Sequence, residues 1–215
     1  MGKSVEIGYN TVLWSALFLI LAGLAACNTR TIEYEVLPLH HDLGEFHLRK
    51  SVYFDTISQW THELDCECCH QRKVRLSNRE FPLLQEKSWK YTQPDSNMQV
   101  TLIQAERAQC DTAFKIDFPE MSAQMKYVNG LYFEYPTWVY RQFEKVDGHD
   151  FIVLGWEIKK YRRYDNQNLQ RLLAITSIDG RKVTLDFDCR SNDCGNFLRR
   201  SFWLLQRMKI KLPEE

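Results

Sequence analysis

The pattern that most restricts the fold lies between residues 174 and 187. Ala174–Ile178 and Lys182–Phe187 flank Asp179-Gly180. Asp-Gly favours a type I′ turn, whose twist matches that of two antiparallel strands. Val183, Leu185 and Phe187 alternate with Thr184, Asp186 and Asp188, so the second strand has one apolar and one polar face. The expectation is an antiparallel sheet with one buried face and one wet face. Asp186 and Asp188 then share the polar side. Paired carboxylates could serve acid–base chemistry, but on a wet face they read as solvated.

After the hairpin, Leu198, Phe202 and Leu205 recur at helical spacing, which predicts a helix packed on the sheet. Met208, Ile210 and Leu212 then alternate and suggest a short last strand. Further strands are expected at Phe46–Phe54, Val74–Leu76, Met98–Ile103, Phe114–Phe118, Leu131–Tyr135 and Phe151–Ile158. Asp55 can cap a short helix in which Ile57, Trp60 and Leu64 share a face. Trp60, Trp156 and Trp203 fit apolar faces and read as core. The fold class is α+β: a single domain over residues 46–215, its antiparallel sheet carrying one or two helices on one face. The order hairpin, helix, short strand at residues 174–212 resembles the end of the Mog1/PsbP-like sandwich. That resemblance implies a fold found in several envelope lipoproteins.

The N-terminus speaks to compartment. Val12–Ala26 carries no charge and has the length of a secretory h-region, short of the roughly 20 residues a spanning helix needs. It ends in Leu24-Ala25-Ala26-Cys27, which resembles the lipobox of bacterial lipoproteins. The resemblance implies cleavage after residue 26, with lipid on the thiol of Cys27. It further implies anchoring of the mature chain in the cell envelope; Asn28, in place of Asp, favours the outer membrane. Residues 27–45 are polar and mixed and read as a tether, in which His40-His41 reads as solvent-exposed, with metal binding as the alternative.

Of seven cysteines, setting Cys27 aside leaves Cys66, Cys68, Cys69, Cys110, Cys189 and Cys194. An even set in an exported chain points to disulfides, and Cys189 with Cys194 can close locally across the hairpin's exit. Adjacent Cys68 and Cys69 are poor partners for one another. The alternative is a copper- or zinc-handling cluster of His62, Cys66, Cys68, Cys69 and His70, because thiolates with imidazole suit those ions. A third reading is thiol redox at Cys66-x-x-Cys69. Redox motifs of that kind follow a strand, whereas this one is predicted to follow a helix.

Catalytic signatures are absent from the sequence: it has no G-x-S-x-G, S-x-x-K, Walker loop or H-E-x-x-H. His62-Glu63 begins the last, but Cys66 stands where its second histidine belongs. Formal charge is zero, from 28 basic and 28 acidic residues, which gives no field for nucleic acid. Residues 27–120 carry 11 basic and 15 acidic side chains; residues 121–215 carry 16 and 12, so the second part is +4. The basic run Lys159-Lys160-Tyr161-Arg162-Arg163-Tyr164 could grip an anion but reads as a solvated strand end. The function expected is a membrane-anchored, non-catalytic interaction or accessory module with an envelope protein partner and no cofactor.

Overall fold

The computed structural model describes residues 33–213 except 52, 53, 55, 64, 79–95, 108, 111, 112, 133 and 162–166. The expected signal sequence and Cys27 therefore lie outside the described residues. Among the described residues, no helix is long and apolar enough to cross a membrane.

Chain order is β1 (Tyr34–Pro38), β2 (Glu45–Arg49), β3 (Thr56–His62), β4 (Gln71–Ser77), β5 (Ser96–Ala105), α1 (Phe118–Leu131), β6 (Thr137–Val146), β7 (His149–Tyr161), β8 (Gln167–Ile178), β9 (Arg181–Ser191), α2 (Phe197–Gln206) and β10 (Lys209–Lys211). Seven strands form one antiparallel sheet in the order β3-β4-β5-β9-β8-β7-β6. A smaller antiparallel sheet has the order β1-β2-β10.

The predicted hairpin is β8–β9. Asp179 and Gly180 both take positive φ, 50° and 69°, as a type I′ turn requires. Asp147-Gly148 makes a second such turn, φ 47° and 89°, between β6 and β7. Val183, Leu185 and Phe187 are fully buried against the β1–β2 hairpin residues Leu37, Phe46 and Leu48 and the α2 residues Leu198 and Leu205. Each such side chain contributes about 1.5–3 kcal/mol by leaving water. In β7, Gly155 lies under the Tyr140 ring, where an added Cβ would approach to 2.6 Å. The absent side chain lets Tyr140 stack on Phe202 of α2 at 4.8 Å.

The opposite face of the large sheet is covered too. Ile152, Leu154, Trp156, Ile158, Leu169 and Ile175 form a second core against Val128 of α1, with Met121 and Met125 packed alongside. Asp117 caps α1, its carboxylate accepting from the Glu120 N–H at 2.9 Å. Both hairpin faces are thus covered, which corrects the expectation of a wet face. The two helices sit on opposite faces of the large sheet, which corrects the expectation that they share one.

Several local expectations also change. Thr56–His62 is a strand, not a helix; it holds Thr, Ile and Trp, which suit a pleated surface, and pairs with β4 along its whole length. Phe114–Phe118 and Leu131–Tyr135 form no strands among their described residues. The Asp117 cap, with Pro119 in the first turn, instead starts a helix that runs through Leu131. The proposed tether is partly folded: residues 34–38 pair with residues 45–49, so folded structure begins well before residue 46.

Candidate functional site

The site is built from the polar half of the α1-side face. Period-two geometry sends Thr184, Asp186 and Asp188 to the side opposite Val183, Leu185 and Phe187. Register then places Asp188 between Arg171 of β8 and Gln99 of β5, and Asp186 between Leu173 and Thr101. Both carboxylates are buried, at 7% and 2% residual exposure. A buried carboxylate must be paired or lose its charge. Arg171 grips both oxygens of Asp186, its Nε donating at 2.7 Å and its Nη2 donating to Oδ2. Its Nη1 donates to the Tyr132 hydroxyl at 3.2 Å. Arg190 stands with Nε 3.0 Å from Asp188 Oδ1 and donates from Nη2 to Oδ2 at 3.3 Å.

Burial works against the charge of Arg171, but the charge and hydrogen bonds of Asp186 outweigh it, so the guanidinium is held still more firmly protonated. Burial pushes the Tyr132 phenol above its usual range, with Arg171 opposing the shift. Next along the face, Arg75 is also buried; its Nε donates to Thr101 Oγ1 at 3.2 Å, and its guanidinium lies 4.5 Å from the Trp60 ring.

Between this face and α1 lies a cavity of about 460 Å³. α1 supplies Gln124, Tyr127, Val128 and Leu131; the sheet supplies Lys73, Trp156, Arg171, Lys182, Thr184 and Asp186. Lys182 pairs with Glu120 of α1 at 3.3 Å. Trp156 is fully buried, and its indole N–H has no hydrogen-bond partner among the described residues. The lining therefore offers N–H and cationic groups over an apolar floor. Asp186, its acid, already accepts two bonds from Arg171. Such a lining suits recognition of an acceptor-rich or acidic group. The carboxylate pair that the sequence offered for acid–base chemistry serves as counter-ions to arginine.

The cysteines meet in pairs at disulfide distance: Cys66 with Cys69, Cys68 with Cys110, and Cys189 with Cys194, with Cα separations of 5.1, 5.4 and 6.0 Å. The last is the expected local bridge. Cys66-x-x-Cys69 follows strand β3 and closes over a short 3-10 turn, so the helix expected before it is absent. His62 ends β3 and His70 follows the turn. No group of three or more His, Cys, Asp or Glu side chains is arranged to hold a metal among the described residues, and all three thiols of the suggested metal set are taken up in pairs.

His40 and His41 are not on a solvated tether. The His40 backbone N–H donates to Gln104 Oε1 at 2.8 Å, and its ring Nε2 meets the Glu106 carbonyl at 3.1 Å. Arg72 Nη1 lies 2.8 Å from Nδ1 of the same ring. An arginine donating to Nδ1 requires the neutral tautomer with its proton on Nε2. Burial, with His41 and Arg72 close by, accordingly holds His40 below the ordinary imidazole range. Lys159 and Lys160 are exposed at the end of β7, while Arg162, Arg163 and Tyr164 lie outside the described residues. Of the three tryptophans expected in the core, Trp156 is buried, Trp60 is half-buried, and Trp203 is 38% exposed.

No protein-family model matches the chain, and no curated protein matches it. Among solved structures it is similar to cyanobacterial PsbP (CyanoP) from Synechocystis sp. PCC 6803, at 13% identity and a TM-score of 0.44, covering 88% of this chain and 99% of that one. It is also similar to PA94, a putative regulator of unknown function from Pseudomonas aeruginosa, at 9% identity and a TM-score of 0.34, covering 85% and 99%.

Proposed function

We propose that this chain is an exported, lipid-anchored envelope protein whose domain works by binding a protein partner rather than by catalysis. The observation that carries the reading is the pairing of all six cysteines other than Cys27. Three bridges persist only where thiols oxidise, which agrees with the export route implied by Leu24-Ala25-Ala26-Cys27. The cavity between α1 and the large sheet is the recognition site. Its N–H and cationic groups and apolar floor suit an acidic or acceptor-rich segment of a partner, and its carboxylate Asp186 is engaged by Arg171.

Site-specific photo-crosslinking in intact cells tests the binding site. A benzophenone side chain at Tyr127, 62% exposed on the cavity rim, is expected to capture an envelope protein. The same probe at exposed Lys145, on edge strand β6, is expected to capture none. Background labelling alone from Tyr127, Gln124 and Lys73 would overturn the reading.

A further inference from the structure

We propose that the outer face of α2, together with the end of β2, is a docking surface for an anionic phospholipid bilayer, so that the anchored domain lies down on its own membrane. The inference rests on the lipid-anchor reading and adds an orientation to it.

The surface is built from few residues. Along α2 and the residue after it, Arg199, Arg200, Trp203 and Arg207 are exposed. No Asp or Glu occurs from Phe197 to Leu212, a stretch with five basic residues. Trp203 lies between two guanidinium groups, with Arg49 of β2 at 5.0 Å and Arg207 at 4.2 Å from its ring. Beside it runs a groove of about 290 Å³, lined among others by Phe54, Met98 and Leu204 and flanked by Arg49, Lys50 and Arg200. Lys50 pairs with Glu33 at 3.0 Å. Cations over an apolar groove beside a half-exposed indole match the boundary between lipid headgroups and acyl chains. Tryptophan is enriched there, and arginine can lay its apolar stem inward while its head meets phosphate.

The chain's path favours a bilayer as the occupant. Tyr34 pairs directly with Arg49, and the Glu33 carbonyl accepts from the Lys50 N–H at 2.8 Å. Five residues separate Cys27 from Glu33, and the six Cα-to-Cα steps between them span at most roughly 22 Å when extended. An acylated Cys27 therefore keeps the Arg49–Lys50 end of β2 close to the headgroups. The leftover charge of residues 121–215 sits largely on α2 and its flank. α2 packs on the Val183/Leu185/Phe187 face and α1 on the other, so docking through α2 turns the α1 cavity away from the bilayer and toward a partner.

The test uses the mature chain, residues 27–215, carrying Cys27→Ser so that no acyl chain contributes. Its partitioning is measured onto vesicles of phosphatidylcholine alone and of phosphatidylcholine with one-third phosphatidylglycerol. Binding is expected to the anionic vesicles only. It should vanish near about 1 M salt, where the Debye length is about 3 Å. Each basic residue at an anionic surface multiplies partitioning about fivefold, so Arg49→Gln/Arg200→Gln/Arg207→Gln should lower it about a hundredfold. Lys159→Gln/Lys160→Gln, at the end of β7, should leave it unchanged. Brominated lipid should quench the parent's fluorescence, and Trp203→Phe should abolish that quenching. Equal binding to neutral vesicles, an unaffected triple variant, or capture of an acidic protein on this face with anionic vesicles left unbound would each overturn the proposal. The vesicle result reads the surface alone; the mass of native Cys27 reads the anchor alone.

Discussion

Removing Arg171 should expose how the polar face of the large sheet is held together. Arg171 grips Asp186 through both carboxylate oxygens and touches Tyr132, while Asp188 keeps Arg190 in either case. Arg171→Met thus strands one carboxylate whose side chain is 9% exposed. Breaking a fully buried pair costs about 3–5 kcal/mol. The Arg171 side chain is 27% exposed, and solvent screening of that part lowers the expectation to about 2–3 kcal/mol. Asp186→Leu should cost somewhat less, because Asp188 Oδ2, 4.0 Å from Arg171 Nε, remains as a partner for the guanidinium. The double variant removes both charges and both desolvation penalties, so it should fall within about 1 kcal/mol of the parent. The assay is urea unfolding with the disulfides intact, followed by tryptophan fluorescence, with slopes compared to confirm that the unfolding surface is unchanged. In melting temperature, Arg171→Met should lose about 5–10 °C and Asp186→Leu less. Losses that simply add in the double variant, or an Arg171→Met protein as stable as the parent, would refute the reasoning.

Three further outcomes are expected. In the chain-entropy description a bridge spanning 42 residues stabilises by about 4 kcal/mol and one spanning 5 by about 2 kcal/mol; Cys68→Ser/Cys110→Ser should therefore lower the urea midpoint more than Cys189→Ser/Cys194→Ser, and the reverse order would contradict the pairing. His40 is held below its ordinary value of 6.5 by burial and by His41 and Arg72, so the folded state prefers the neutral ring: its contribution is full above pH 6.5 and is lost as pH falls through that value toward the folded one. His40→Gln should flatten the decline in stability between neutral and mildly acid pH, and an unchanged decline would count against the assignment. Asp147 is held below its ordinary 3.8, first by accepting the Ile210 N–H at 2.8 Å and then by Lys209 at 3.0 Å, so its contribution is present above pH 3.8 and lost as pH falls through the folded value. Asp147→Asn should cost about 1 kcal/mol, after discounting for exposure, and should speed amide exchange at Ile210; unaltered exchange would show that β10 is held otherwise.

What the sequence disclosed depended on how local each signal was. Asp179-Gly180 and the alternation of Val183, Leu185 and Phe187 specify their own turn and register, so β8–β9 was legible, as was α2 from Leu198, Phe202 and Leu205. Asp147-Gly148 carries the same turn chemistry at the head of β6–β7, and Met121, Met125 and Val128 mark the buried side of α1 at helical spacing, so both elements also have local signals in the sequence. β1–β2 was harder. Its turn places His41 and Asp42 at positive φ, with no Asn-Gly or Asp-Gly to announce it. Thr56–His62 fits a helical spacing at Ile57 and Trp60 as well as a strand, and only pairing with β4 decides between them. The site was least legible. Asp186 and Asp188 look like solvated residues until the sheet register brings Arg171 beside one, and Arg190 folds back onto the other. Trp203 reads as core from its neighbours, yet Arg49, far away in sequence, meets it at the surface.

Export, acylation at Cys27 and the closing of six thiols in three bridges are three readings that one measurement can test. Intact mass of the protein purified from its own membranes, alkylated before and after reduction, reads all three together. The predicted result is a chain that begins at Cys27 with acyl chains attached, takes up no alkyl group before reduction, and takes up six after it. A chain that keeps residues 1–26, lacks lipid, or is alkylated at any of the six cysteines before reduction would contradict it.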